Sequence, residues 1–202
     1  MAKSAAVLGF ASMAALIAGS GAYVFLGTSG NPLDKCRGGA VAGAIGGPFS
    51  LVDTAGATVT DKAVITKPTL VYFGYTSCPD VCPFDNARNA QAVDILEERG
   101  IAATPVFISI DPLRDTPAVM LDYTTNIHPA MIGLTGSEAQ IKQAAYAYRV
   151  LYQRRDTGGG DYLMDHSVFT YLMLPETGFA DFFQRDATPE QMADAVACFA
   201  GL

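Results

Sequence analysis

The sequence predicts an α/β fold of the thioredoxin-like class, a mixed sheet flanked by helices, preceded by a single N-terminal transmembrane helix. Three observations carry that expectation. Short β-branched and aromatic runs, Thr69–Gly74 (TLVYFG) and Pro105–Ile110 (PVFISI), alternate with stretches of helical periodicity. A later pair, Val168–Leu174 and Phe179–Phe183, flanks Pro175–Gly178 as a hairpin would, and a capped helix follows. A long uncharged apolar run stands at the N-terminus. Strands alternating with helices, then a hairpin and a closing helix, imply parallel and antiparallel pairing in one sheet.

From the start of the chain, Lys3 precedes an uncharged run that reaches Pro32, with its apolar centre at Ala5–Gly27. About 20 such residues cross a bilayer core. Lys3 on the short leading side places the N-terminus inside and the remainder across the membrane, in a bacterial periplasm or an equivalent compartment. A cleavable signal peptide is the rival, with small residues at Ala18, Gly19, Ser20 and Ala22. Its apolar region usually spans about 7–15 residues, so the longer run favours an anchor. The chain therefore divides into an anchor at 1–27, a glycine-rich linker at 28–47 and a domain at 48–202. A flexible linker of that length has a typical end-to-end distance of roughly 25 Å.

Within the domain, Phe49–Asp53 and Thr58–Thr60 flank Ala55-Gly56-Ala57 as a first hairpin. Thr69–Gly74 is a buried strand bounded by Pro68. Phe84, Ala87, Ala90, Val93 and Leu96 form the apolar stripe of a helix over Pro83–Arg99, closed by Gly100. After the buried strand Pro105–Ile110, Thr116 and Pro117 supply an N-cap and a first helical position. Met131–Leu134 is a short strand. Ser137 and Gln140 have capping-box spacing, ahead of a stripe that includes Ile141, Ala144, Ala145, Tyr148, Leu151 and Tyr152; Gly158–Gly160 then breaks that helix. Thr188-Pro189-Glu190-Gln191 starts the last helix, whose buried face is Met192, Ala195, Val196 and Phe199.

Charge excludes one class of partner. The formal net charge is −7, with no clustered Lys and Arg to displace counterions, so no nucleic-acid partner is expected.

The chemistry concentrates at Cys78 and Cys82, just after the Thr69–Gly74 strand and at the entrance to a helix. Sites in open α/β sheets form at the carboxyl ends of strands, and a helix start stabilises thiolate. The spacing is C-P-D-V-C, one residue longer than the redox C-x-x-C. In regular helix, positions i and i+4 stand about 5–6 Å apart at Cβ, wider than the roughly 3.5–4.5 Å of a disulfide. Two sulfurs held at that spacing can grip a metal between them, although Pro79 and Pro83 leave a disulfide open. Of the two histidines, His166 sits at an element boundary before Val168–Leu174. Its default reading alone is structural. His128 lies in a turn-like stretch and reads as a solvated loop residue. Met164, two residues before His166, reads as core packing. Two thiolates and one imidazole would make a soft site suited to copper, whereas zinc normally takes a fourth ligand.

Three runs now carry a resemblance: GYTSCPDVCP (Gly74–Pro83), FISIDPLRDTP (Phe107–Pro117) and DYLMDHSVFTYLM (Asp161–Met173). In that order they closely resemble the Sco/SenC proteins, membrane-anchored assembly factors for the copper centre of respiratory cytochrome c oxidase. The resemblance covers the chain from about Pro48 to its end. It implies copper ligands at Cys78, Cys82 and His166. The implied partners are a copper donor protein and the copper-carrying subunit of the oxidase. It places Asp165 beside the imidazole, as a residue that orients the ring or its loop. Asp80, Asp111 and Asp115 also match; Asp80 could tune charge at the thiolates or serve only as a turn residue, and caps and turns account for the other two.

Thioredoxin oxidoreductases carry a proline facing their cysteine pair, and none stands between Asp161 and Leu174 here. That favours metal delivery over general disulfide exchange. The alternative is a thiol–disulfide oxidoreductase that keeps oxidase-subunit or chaperone cysteines reduced, in which Cys78 and Cys82 would be the catalytic pair. A peroxidase reading is weak because Gly74-Tyr75-Thr76-Ser77 does not reproduce the usual spacing of Pro and Thr ahead of the cysteine, while a copper or redox sensor stays open. Cys36 and Cys198 lie outside the three motifs; in an oxidising compartment they are expected to pair.

Overall fold

Three runs of the domain are buried at every position: Thr69–Gly74, Thr104–Ser109 and Thr170–Leu174. Strands covered on both faces belong at the centre of a sheet with helices on either side, and these three are adjacent there. The structure, a computed structural model, describes Cys36 and residues 45–201. The expected anchor at 1–27, and the linker apart from Cys36 and 45–47, lie outside the described residues. Contacts divide the chain into Met1–Lys35 and Cys36–Leu202, and every described residue belongs to the second unit. Among the described residues no helix is long and apolar enough to cross a membrane.

In chain order the elements are β1 (Ser50–Asp53), β2 (Thr58–Thr60), α1 (Asp61–Val64), β3 (Thr69–Gly74), α2 (Val81–Glu98), β4 (Thr104–Ser109) and α3 (Pro117–Ile127). Then come β5 (Ile132–Thr135), α4 (Glu138–Ala147), β6 (Tyr152–Gly158), β7 (Asp161–His166), β8 (Thr170–Leu174), β9 (Gly178–Phe183) and α5 (Pro189–Ala200). Seven strands form one sheet in the order β2-β1-β5-β4-β3-β8-β9. Strand β3 pairs in parallel with β4 and antiparallel with β8, so the sheet is mixed, as the element order predicts. Its fold is that of the thioredoxin-like class. Because Tyr72 pairs with Thr170, the start of β8 lies beside the end of β3. Residues leading into β8 are thereby delivered to the edge where β3 ends.

Local signals hold at the helix ends. Thr116 accepts from Val119 N–H, and both Ser137/Gln140 and Thr188/Gln191 form complete capping boxes. Helix α4 is shorter than its stripe suggests. It ends at Ala147 because Arg149 turns into the left-handed region at φ 58°, leaving Leu151 79% exposed and Tyr152 in β6. Gly158, Gly159 and Gly160, all at positive φ, make the turn of the β6–β7 hairpin and do not terminate a helix.

A second correction concerns α2. Phe84 is 68% exposed, and the inward face of the first turns carries Cys82, Asp85, Asn86 and Asn89. That face meets a polar layer: Tyr72 Oη donates to Asp85 at 2.9 Å, Asn86 Nδ2 to the Cys82 carbonyl at 3.0 Å, and Thr170 Oγ1 to Asn89 Oδ1 at 2.9 Å. These polar side chains find partners inward, so the aromatic ring is displaced outward. Cys36 and Cys198 form a disulfide, joined at a Cα separation of 5.6 Å across 162 positions of sequence.

Candidate metal centre

Strand β3 ends at Gly74, and the chain turns through Tyr75–Asp80 into α2. This short passage sets the first sulfur at a loop and the second inside the opening helical turn. Cys78 is half-buried and Cys82 fully buried, and both are free thiols. Gly74 makes room for the second: a Cβ there would stand 2.9 Å from Cys82 Sγ and 3.0 Å from Phe107 and Tyr72. The loop is pinned by Asp115, buried at the start of α3. Its carboxylate accepts from Thr76 Oγ1 at 2.6 Å, Thr76 N–H at 3.1 Å and Ser109 Oγ at 2.6 Å. Burial raises the Asp115 pKa above the usual carboxylate value, and those three donors oppose the shift.

His166 arrives from the other direction, as the last residue of β7. Its Nδ1–H donates to the Ser167 carbonyl at 2.8 Å, a bond that only a protonated Nδ1 can make. In the neutral ring Nε2 would then carry the lone pair, and it stands 3.4 Å from Cys82 Sγ. Two tyrosines fix the ring plane, Tyr72 at 6.1 Å and Tyr75 at 6.0 Å between centroids, both edge-on. One potential ligand atom from each of Cys78, Cys82 and His166 lies within 4.8 Å of the others.

The electrostatics of the two sulfurs differ. Cys78 accepts a hydrogen bond from the Cys82 thiol, which lowers its pKa well below the ordinary thiol value; the His166 ring and the Asp80 and Cys82 backbone N–H groups act in the same direction, against burial. Donating to Cys78, and lying under the surface, pushes the Cys82 pKa up. Without a metal the two sulfurs are thus pushed in opposite directions, Cys78 toward thiolate and Cys82 toward thiol. An entering soft cation would replace the shared proton, gaining two sulfurs and one imidazole. The donor set fits a cation content with three soft ligands.

The sequence places the other candidates less well. Asp165 is exposed and pairs with Arg155 across the hairpin at 3.2 Å, so the Ser167 carbonyl, and not Asp165, orients the imidazole. Asp80 is the N-cap of α2 without a side-chain capping bond. Asp111 and Asp115 do more than close turns, since each reaches a segment that carries site residues. His128 is no solvated loop residue: Nε2–H donates to Asp94 Oδ1 at 3.0 Å and Nδ1 accepts from Ala130 N–H at 3.1 Å. Met164 is buried in the core cluster, as expected. Tyr72, Tyr75 and Gly74 were not singled out, because only the fold shows them touching the ligand atoms.

Comparisons with known proteins agree with this geometry. The family profile described as SCO1/SenC matches residues 38–201. Protein SenC of Rhodobacter capsulatus is 51% identical over 199 residues, covering 98% of this chain and 90% of that protein. The crystal structure of Arabidopsis thaliana ScoI with copper bound superposes with a TM-score of 0.75 at 43% identity, covering 79% of this chain and 100% of that one. The structure of Bradyrhizobium japonicum ScoI with copper bound gives 0.67 at 42% identity, over 76% and 98%.

Proposed function

The chain belongs to the SCO1/SenC family, and on that premise we propose that it is a copper metallochaperone for the copper centre of a respiratory cytochrome c oxidase. Copper would be held between Cys78, Cys82 and His166. It would be accepted from a donor protein and passed by ligand exchange to the copper-carrying subunit. The carrying observation is the convergence of three soft donors from distant parts of the chain within 4.8 Å, with Cys78 and His166 only half-buried. A half-open three-donor site suits a cargo, because an incoming ligand can attach before the last one leaves. Copper-bound relatives at 42–43% identity support the choice of metal. The apolar run at Ala5–Gly27 would hold the protein in the inner membrane, with the domain on the periplasmic side. The Cys36–Cys198 disulfide suits that oxidising compartment.

The thiol–disulfide reading needs both cysteines and has no use for the imidazole. The 3.4 Å approach of His166 Nε2 to Cys82 supports the metal reading over it. Anaerobic copper titration of the full chain tests the proposal, comparing native protein with single Cys78→Ala, Cys82→Ala and His166→Ala variants. Removing one of three ligands is expected to weaken binding on the order of 100-fold. Full affinity and delivery in His166→Ala would count decisively against a copper site of this composition.

A further inference from the structure

The hairpin that carries His166 has no backbone ladder to the main sheet. Strands β6 and β7 form a separate two-stranded sheet. Apart from the short link from His166 to Thr170 in β8, its position relative to the cysteines then rests on side chains. Alternation puts Tyr162, Met164 and His166 on one face of β7, and the first two are buried.

Arg114, in the loop after β4, makes the strongest of these contacts. Its guanidinium stacks on the Tyr162 ring at 3.7 Å, and its Nη1 donates to the Tyr162 carbonyl at 3.0 Å. Tyr162 Oη donates to Asp111 Oδ1 at 2.8 Å, and the same buried carboxylate takes Arg114 Nε through its other oxygen. Arg154 covers Tyr162 from β6 at 3.9 Å. Arg114 also lies 5.6 Å from the centre of Tyr75, the ring that meets His166 edge-on. One guanidinium therefore touches both the strand bearing the imidazole and an aromatic wall beside it. The loop that holds it also includes Asp115, which ties down the cysteine-bearing loop.

We propose that Arg114, fixed by Asp111 and stacked on Tyr162, is a positioning residue that sets the His166 imidazole against the two sulfurs. The inference rests on the copper reading. Four residues of strand separate Tyr162 from His166, about 13 Å, so a pivot of about 10° at Tyr162 carries the ring about 2 Å. Metal–ligand distances tolerate only about 0.2 Å.

The test uses the full chain with Arg114→Met, and with Tyr162→Phe as the milder change that keeps the stack and loses the bond to Asp111. In Arg114→Met copper affinity should fall about 10- to 100-fold, the size typical of residues that orient ligands. The nitrogen signature of bound Cu(II) in electron paramagnetic resonance should weaken while X-ray absorption still counts two sulfurs. Tyr162→Phe should move the same way by less. In metal-free protein, amide exchange should accelerate in β6–β7 and stay unchanged in β3 and α2. Native affinity and nitrogen coupling in both variants would overturn the proposal, as would loss of protection spread evenly over the domain. Should Arg114→Met fail to fold, Tyr162→Phe decides. A native chain lacking an imidazole nitrogen on its copper would sink the copper reading instead, leaving the metal-free exchange comparison to judge Arg114.

Discussion

Cys82 is placed by backbone ladders on both sides of β3, whereas His166 is placed by side chains on a hairpin that shares no ladder with the main sheet. The sulfurs sit where a fully buried strand meets a helix. The imidazole sits on a strand held by Arg114 against its Tyr162, and the ring itself meets two tyrosines and one backbone carbonyl. A site of this kind has a fixed half and an adjustable half. Moving the second would free a metal bound there without disturbing the first.

The contrast can be broken most directly by thiol chemistry. In metal-free protein, iodoacetamide should label half-buried Cys78 at least about 100-fold faster than fully buried Cys82. Because its folded pKa is depressed, Cys78 should keep its rate as pH falls from about 8 to 5. An ordinary thiol loses about tenfold per pH unit there. Equal labelling, or an ordinary pH slope at Cys78, would remove the asymmetry. Gly74→Ala comes next. The new methyl meets Cys82 Sγ and two buried rings at about van der Waals overlap, so chemical denaturation should show a loss of about 1–3 kcal/mol, with weaker copper binding. Unchanged stability and affinity would mean that the fixed half is softer than its ladders imply. The smallest effect is expected at Asp165. Its exposed pairing with Arg155 should be worth within about 1 kcal/mol, and Asp165→Ala should leave a copper titration unchanged. A tenfold loss of affinity would return to Asp165 the orienting role that the Ser167 carbonyl holds here.

Legibility in the sequence followed the same division. Strand β3, the helix entry at Cys78 and Cys82, and the caps at Thr116, Ser137 and Thr188 rest on local patterns, so alternation, proline and capping spacing announced them. The closing pair β8–β9 was equally plain. The hairpin bearing His166 was hidden because Arg149 ends α4 through a left-handed turn that a non-glycine residue seldom adopts. The helical stripe therefore seemed to run on to Tyr152. Phe84 misled for a related reason: periodicity locates a helix face, and the polar layer beneath α2 decides which face turns inward. Asp111 and Asp115 looked like turn residues because their partners, Tyr162 and Thr76, are far away in sequence.

The bond between Cys36 and Cys198 changes where a pull on the chain's leading segment would be felt. Load arriving at residue 36 enters through the final helix, and β1, which lies between β2 and β5, is spared. A single covalent link thus decides which end of the domain takes up a load from the leading segment.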